Sequence, residues 1–419
     1  MGYERLMRPT YRTTKLACYG AIISQAIQNN LPALLFVVFQ QQYGISYEML
    51  GRLILMNFVT QLCVDMISIK LAEKFGYRAC LIGGQSCIAV GLILLSVLPS
   101  VLPPYIGLSI AVILMAVGGG LAEVLVSPTI EAMPGDEKAA AMSMLHSFYC
   151  WGQVATVLGS TLLLFVIGRS AWQVLPLCWV IVPACSALLF VRAPFAPVVG
   201  GEGGGMKLGT LLRTPAFLVA MLIMVCAGAS ELVMSQWAST FAEKALGVSK
   251  VIGDLAGPCM FAVLMGLGRM IYGRMGSRLP LKKCLMGCGL LCVACYLTAA
   301  LSGNPVAALA GCAVCGFSVS IMWPGALSMS AARFPTAGTA LFAILAVMGD
   351  LGCSVGPWLA GLVSDGAQAV PQLTQFAAQA GLTAEQLGLK AGLLLGTVFP
   401  VTLFVSTMFV REKGKEKES

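Results

Sequence analysis

The chain has 419 residues, 58% hydrophobic and 11% charged, with a formal net charge of +8 and a mean hydropathy of +0.87. Soluble domains carry roughly 25% charged residues, so the composition excludes a water-soluble globular class and implies an all-α integral membrane protein. Apolar runs of about 20 residues recur, each enough to cross a ~30 Å hydrocarbon layer, and the ten-residue alternation of a membrane barrel does not occur.

Twelve membrane helices are expected, at about 14–41, 48–71, 78–98, 104–132, 138–167, 171–193, 213–242, 252–277, 281–302, 304–331, 335–364 and 389–411. The first is too long for the apolar core of a signal peptide, and no cleavage motif follows it. It carries Gln25, Gln28 and Asn29 at i, i+3, i+4, a polar stripe on one face, with Asn30 and Pro32 next. The second repeats the device with Asn57, Gln61 and Asp65 at i, i+4, i+8. In the fourth, "GGGLAEVLVSP" (118–128) sets Glu123 in an otherwise uncharged run. A charge at the centre of a membrane helix costs about 2.5–3.5 kcal/mol on the insertion scale, so such a residue needs a reason. The fifth carries His146, Tyr149 and Gln153 at i, i+3, i+7. Glu123 lies about 13 Å from the end of its helix and His146 about 12 Å into the next, at the helical rise. At matching depth the two side chains can meet, and a histidine beside a carboxylate can hold or pass a proton near neutral pH. Amides in membrane helices also serve as interhelical glue, worth roughly 0.6 kcal/mol each.

After the sixth helix, "PFAPVVGGEGGGMKLGT" marks a linker over 194–212 between two six-helix bundles, 1–193 and 213–419. Helix seven carries Glu231, Ser235 and Trp237, helix eight Arg269, and helix eleven Asp350. Gly349-Asp350 lacks the Gly-x-Gly-Asp of intramembrane aspartyl proteases, because Val347 occupies the first position. Nearly all of the sixteen cysteines lie in apolar runs, where they act as small hydrophobes. Cys292-x-x-Cys295 and Cys312-x-x-Cys315 look like a zinc ribbon but have no histidine or polar shell, so no metal site is expected. Residues 365–388 read as an external loop with short helices and a Thr383-x-x-Gln386 capping box.

All but five of the 26 Lys and Arg residues fall on one set of ends and loops; the exceptions are Arg52, Arg169, Lys244, Lys250 and Lys390. The bias places both termini in the cytoplasm and explains the positive charge without nucleic acid. The halves resemble each other: "DMISIKLAEKFGYRACL" (65–81) matches "RMIYGRMGSRLPLKKCL" (269–285), Pro128 matches Pro324, and Gly152 and Gly159 match Gly349 and Gly356. Asp65 and Arg269 thereby occupy equivalent cytoplasmic helix ends, suited to a salt bridge or gate. Parallel repeats of this kind belong to transporters with a site near mid-membrane. No G-x-x-x-x-G-K-[ST] loop is present, so a gradient rather than ATP is the expected energy source.

These segments resemble the major facilitator superfamily, and within it the fucose–proton symporter-like sugar transporters. "QAIQNNLPALL" is similar to that family's first-helix segment with its paired asparagine, and "GGGLAEVLVSP" to its fourth-helix segment. "MLHSFYCWGQ" is similar to its fifth-helix pattern, and "GPWLAGLVSDGAQAVP" to the end of its eleventh helix. The resemblance implies that Glu123 is a cavity carboxylate of proton-coupled sugar binding, that Asn29 and Asn30 face the sugar, and that His146 stands at a pocket amide. The family's first-helix aspartate is here Ala33, and the fifth-helix asparagine is Tyr149.

The expected protein is a multi-pass transporter of the cell membrane, not an enzyme, moving a small polar solute such as a sugar with protons. It is expected to act as a monomer without a cofactor. Asn29, Asn30, Tyr149, Glu231 and Trp237 are the expected solute contacts; Glu123, His146 and Asp350 the proton-coupling groups; Asp65 and Arg269 the gate. Two alternatives stay open: an exporter of amphipathic or cationic compounds on the same fold, drawn by Glu123, Glu231 and Asp350, and a membrane enzyme or sensor, for which no catalytic motif or output domain is seen.

Overall fold

Apolar runs without partners for their backbone must become helices in a membrane, because only a helix satisfies every N–H and C=O within one segment. The computed structural model describes residues 11–133, 138–196, 211–275, 280–334 and 338–410, and no strand occurs among them. The chain divides into two compact units, Met1–Gly200 and Gly201–Ser419. In the first, α1 (Tyr11–Leu34), α2 (Phe36–Tyr43), α3 (Tyr47–Phe75), α4 (Tyr77–Val101), α5 (Pro104–Glu131) and α6 (Lys138–Ile167) precede α7 (Val174–Trp179) and α8 (Ile181–Arg192). The second contains α9 (Pro215–Lys244), α10 (Lys250–Asp254), a π-helical turn (Leu255–Cys259) and α11 (Met260–Met275). It continues with α12 (Leu281–Leu301), α13 (Pro305–Val319), α14 (Met322–Arg333), α15 (Gly338–Ala369), α16 (Pro371–Gln379), α17 (Ala384–Gly396) and α18 (Val398–Phe409). Among the described residues eleven segments are long and apolar enough to span a membrane, and twelve if α1 and α2, joined at a 44° bend, count as one span.

Several breaks inside spans lie just before prolines. A proline removes the i→i−4 bond and crowds the preceding turn. Val180 separates α7 from α8 ahead of Pro183, Ser320 and Ile321 separate α13 from α14 ahead of Pro324, and Thr397 separates α17 from α18 ahead of Pro400. Pro258 lies inside the π turn, and Pro32 precedes the bend at Leu35. The eleventh span runs five residues past its expected end, to Ala369, and stops before Pro371, so the loop after it is shorter than the sequence suggests. Within that loop the capping box forms: Gln386 N donates to Thr383 Oγ1 at 3.1 Å, and Thr383 N donates to Gln386 Oε1 at 3.0 Å.

The surface is apolar, as lipid contact requires: Phe165, Val166, Leu188 and Phe409 are exposed, whereas Gln28, Asn29, Asn57 and Gln61 are buried. Without a hydrophobic drive between helices in lipid, close packing relies on small residues. The Gly118-Gly119-Gly120 run shows this on three faces of α5. A methyl on Gly118 would lie 2.2 Å from Gly84 O of α4, one on Gly119 2.6 Å from Gln28 Nε2 of α1, and one on Gly120 3.0 Å from Val64 Cβ of α3. In the second unit, methyls on Gly228 and Gly352 would lie 2.2 Å from Gly349 O and 2.0 Å from Val225 O, so α9 and α15 touch backbone to backbone. Gly152 makes the corresponding close contact of α6 with Ala26 and Ile23 of α1.

Candidate functional site

The polar stripes of the first two spans face each other. Asn29 Oδ1 accepts from Asn57 Nδ2 at 2.9 Å, from Gln61 Nε2 at 3.0 Å and from Gln28 Nε2, while Asn29 Nδ2 donates to Tyr149 Oη at 3.3 Å. Helical spacing places Gln28 and Asn29 on the face of α1 turned to α3, and Gly119 lets α5 close over them. Asn29 thus sits at the centre of an amide cluster with Tyr149 at its edge. Tyr19 of α1 stacks on Phe148, the neighbour of Tyr149, with ring centroids 4.4 Å apart.

Glu123 has a partner on α1: Gln25 Nε2 donates to Glu123 Oε2 at 2.7 Å. Gln25 is one turn before Asn29, so the carboxylate and the amide cluster share one face of α1. His146 lies on α6, and its side chain falls outside the described residues. Asn30 donates from Nδ2 to Ala26 O of its own helix at 2.8 Å. Asp65 lies against α5, where a methyl on Gly120 would come 3.1 Å from Asp65 Oδ1.

In the second unit, Glu231 on α9 and Arg269 on α11 form an ion pair, with Arg269 Nη2 3.6 Å from Glu231 Oε2. Arg269 therefore has a carboxylate partner inside its own unit, six residues before the end of α11. Trp237 is 3% exposed, and its Nε1 donates to Pro357 O at 3.0 Å. Asp350 is buried on α15, next to the Gly349 contact with α9 and Trp323.

Three arrangements escape sequence reasoning, and two of them carry no local signature of their chemistry. The Gln25–Glu123 bond joins residues 98 positions apart. The Glu231–Arg269 pair joins two helices. At the start of α10, Lys250 Nζ lies 2.9 Å from Asp254 Oδ2 and donates to Ser239 Oγ of α9 at 3.1 Å, with Lys250 and Asp254 both buried. The i, i+4 spacing of Lys250 and Asp254 was the available signal. Of the paired cysteines, Cys292 and Cys315 bring their Sγ atoms to 3.8 Å across α12 and α13.

A family model described as Major Facilitator Superfamily matches residues 17–357. A protein of Yersinia pestis named as an uncharacterized MFS-type transporter is 25% identical over 331 residues, covering 77% of this chain and 81% of its own. A crystal structure of a bacterial homologue of the human lysosomal transporter Spinster, inward-facing and occupied, has a TM-score of 0.71 at 15% identity, over 95% of this chain and 96% of its own. The E. coli fucose:proton symporter FucP has a TM-score of 0.61 at 18% identity, over 96% and 100%. The nucleoside transporter NupG has one of 0.73 at 12% identity, over 95% and 98%. At these identities the solved structures share the fold.

Proposed function

As the chain belongs to the major facilitator superfamily, we propose that this transporter carries a small polar solute of the sugar type, driven by protons, by alternating access in the cell membrane. It works as a monomer. One observation carries the reading: the intramembrane carboxylate of Glu123 is held by a neutral amide, Gln25, at 2.7 Å, beside an amide-and-tyrosine cluster.

A neutral amide can serve a carboxyl group in both of its forms. Its NH2 donates to a carboxylate, and its carbonyl accepts from a carboxylic acid. Glu123 can therefore change charge without losing its partner, as a coupling group must. Arg269 offers donors only, so Glu231 keeps a single bonding role, that of a fixed charge for orienting solute. Asn29, Tyr149 and the neighbouring amides match the hydroxyls of a sugar, each of which both donates and accepts. His146 and Asp350 are the further proton-coupling groups, Asn30 and Trp237 the outer solute contacts, and Asp65 and Arg269 the gating charges in this reading. The family resemblance of the first, fourth and fifth spans supports a sugar-like solute, and FucP and NupG, which share the fold, are a fucose:proton symporter and a nucleoside transporter.

The test is uptake in proteoliposomes with an imposed pH gradient, using labelled hexoses and a fluorescent lipophilic cation. The wild type is expected to accumulate a sugar, and Glu123→Gln to lose accumulation while retaining exchange. Extrusion of the cation with no sugar uptake overturns the solute and makes the protein an exporter; sugar accumulation unchanged in Glu123→Gln overturns the role of Glu123.

A further inference from the structure

The hydrogen bonds of the amide cluster do not balance. Gln28, Asn57 and Gln61 all turn their NH2 groups toward Asn29 Oδ1. That shared orientation leaves Gln28 Oε1, Asn57 Oδ1 and Gln61 Oε1 buried with no hydrogen-bond partner among the described residues. The three residues are 1%, 6% and 1% exposed, so bulk solvent does not reach these oxygens. An amide spans about 2.2 Å from N to O, so each oxygen lies within roughly 5 Å of Asn29 Oδ1. Isolated unsatisfied acceptors occur in native proteins, but each one needs an account. Three on adjacent side chains of α1 and α3 share one: the cluster calls for positive charge or donors beyond those of the described residues.

The space and the charge around it restrict what can fill that role. A methyl on Gly119 would lie 3.2 Å from Gln61 Oε1 and 2.6 Å from Gln28 Nε2, so α5 closes the position tightly. A sugar ring does not fit there, and a single hydroxyl donates to one oxygen and a single water to two, whereas one cation attracts all three. Carbonyl oxygens are the ligands that hard cations take. Two carboxylates offset such a charge in the same unit: Asp65, one turn from Gln61 on α3 and against Gly120, and Glu123, one turn from Gly119 on α5.

We infer that Gln28, Asn57 and Gln61 bind a small alkali-metal cation, sodium, between α1, α3 and α5. The amide oxygens supply part of its coordination shell and water the rest. The few ligands and close walls suit sodium better than the larger potassium ion. The site rests on the transport reading only for its use, which is to couple a sodium gradient to solute movement alongside protons.

The experiment measures binding of labelled sodium to the purified full-length protein, with displacement by unlabelled NaCl and by choline chloride at equal ionic strength. Saturable binding is expected, displaced by NaCl and not by choline. Asn57→Leu and Gln61→Leu each remove one orphaned oxygen, and each is expected to weaken binding by about tenfold or more. Gln85→Leu removes a solitary buried amide of α4 and leaves binding unchanged. If the leucine variants do not fold, the wild type alone decides through Tm, which rises with NaCl and not with choline chloride. Wild-type protein with neither sodium binding nor a sodium-dependent Tm overturns the site and leaves the amides to buried water. Solute uptake driven by a pH gradient without sodium binding keeps the proposed function and overturns this inference. Sodium binding with no uptake of any tested sugar keeps the site and overturns the solute.

Discussion

Asn29 and Asn30 carry the same side chain one residue apart, and the helix turns them to different ends. Asn29 accepts from three amides on two helices, whereas Asn30 bonds only its own α1 backbone. Asn29→Ala strands the donors of Asn57 and Gln61, each at about 1–3 kcal/mol, and is expected to abolish uptake or raise KM by at least about tenfold. Asn30→Ala removes an outer solute contact worth about 1 kcal/mol and no bond of the cluster, and is expected to raise KM by about fivefold or less; uptake kinetics of the two variants decide. The ion pair of the second unit gives a stability test. Arg269→Met leaves Glu231 uncompensated and is expected to destabilise by about 3–5 kcal/mol, with most of the loss recovered by adding Glu231→Gln. Thermal unfolding in detergent measures both. The residues of the cluster were legible because stripes at i, i+3, i+4 are visible in one sequence. Glu123 was legible as an anomaly, but its partner Gln25 was not, because their contact is set by how α1 packs on α5.

At the scale of elements, glycines set helix distance and prolines set helix breaks. Gly83 and Gly84 are neighbours on α4, yet a methyl on Gly83 meets nothing within 4 Å, while one on Gly84 would lie 3.1 Å from Leu121 Cβ of α5. The opposite side of that contact is harsher, since a methyl on Gly118 would lie 2.2 Å from Gly84 O, and backbone cannot swing aside as a side chain does. Gly118→Ala is therefore expected to cost about 1–3 kcal/mol or more by overpacking, with a lower Tm and less monodisperse protein, whereas Gly83→Ala stays within about 0.5 kcal/mol. Chromatographic behaviour and Tm of the two variants check this. Span positions were readable from hydropathy over windows of about 20 residues. The breaks inside spans were less so: Pro128 and Pro357 sit within continuous helices, while Pro183, Pro324 and Pro400 follow interruptions. A proline states that one hydrogen bond is missing, and neighbouring helices decide whether the chain bends there.

For the whole molecule, the distribution of Lys and Arg gives the expected orientation, since all but five of the 26 lie on one set of ends and loops. Both termini are expected in the cytoplasm. A cleavable tag after Ser419 is then accessible to added protease in inside-out vesicles and protected in right-side-out ones; the reverse pattern overturns the orientation. The buried Lys250–Asp254 pair belongs at this scale too. Lys250 was counted among the five exceptions as a loop charge, but it lies 7% exposed beside a π turn, a device that often marks functional positions.

The sequence by itself determined the membrane class, the places of the apolar spans and the polar residues that lipid would not tolerate without cause. These are one-dimensional properties: hydropathy, period and charge counts survive without knowing what packs on what. Tertiary structure alone decided the partners. It joined Glu123 to Gln25, Glu231 to Arg269 and Lys250 to Ser239, and it turned three amides toward one oxygen of Asn29. The physical reason is that a hydrogen bond or ion pair acts over about 3–4 Å, a distance set between helices by the glycines at their crossings and by no pattern along a single helix.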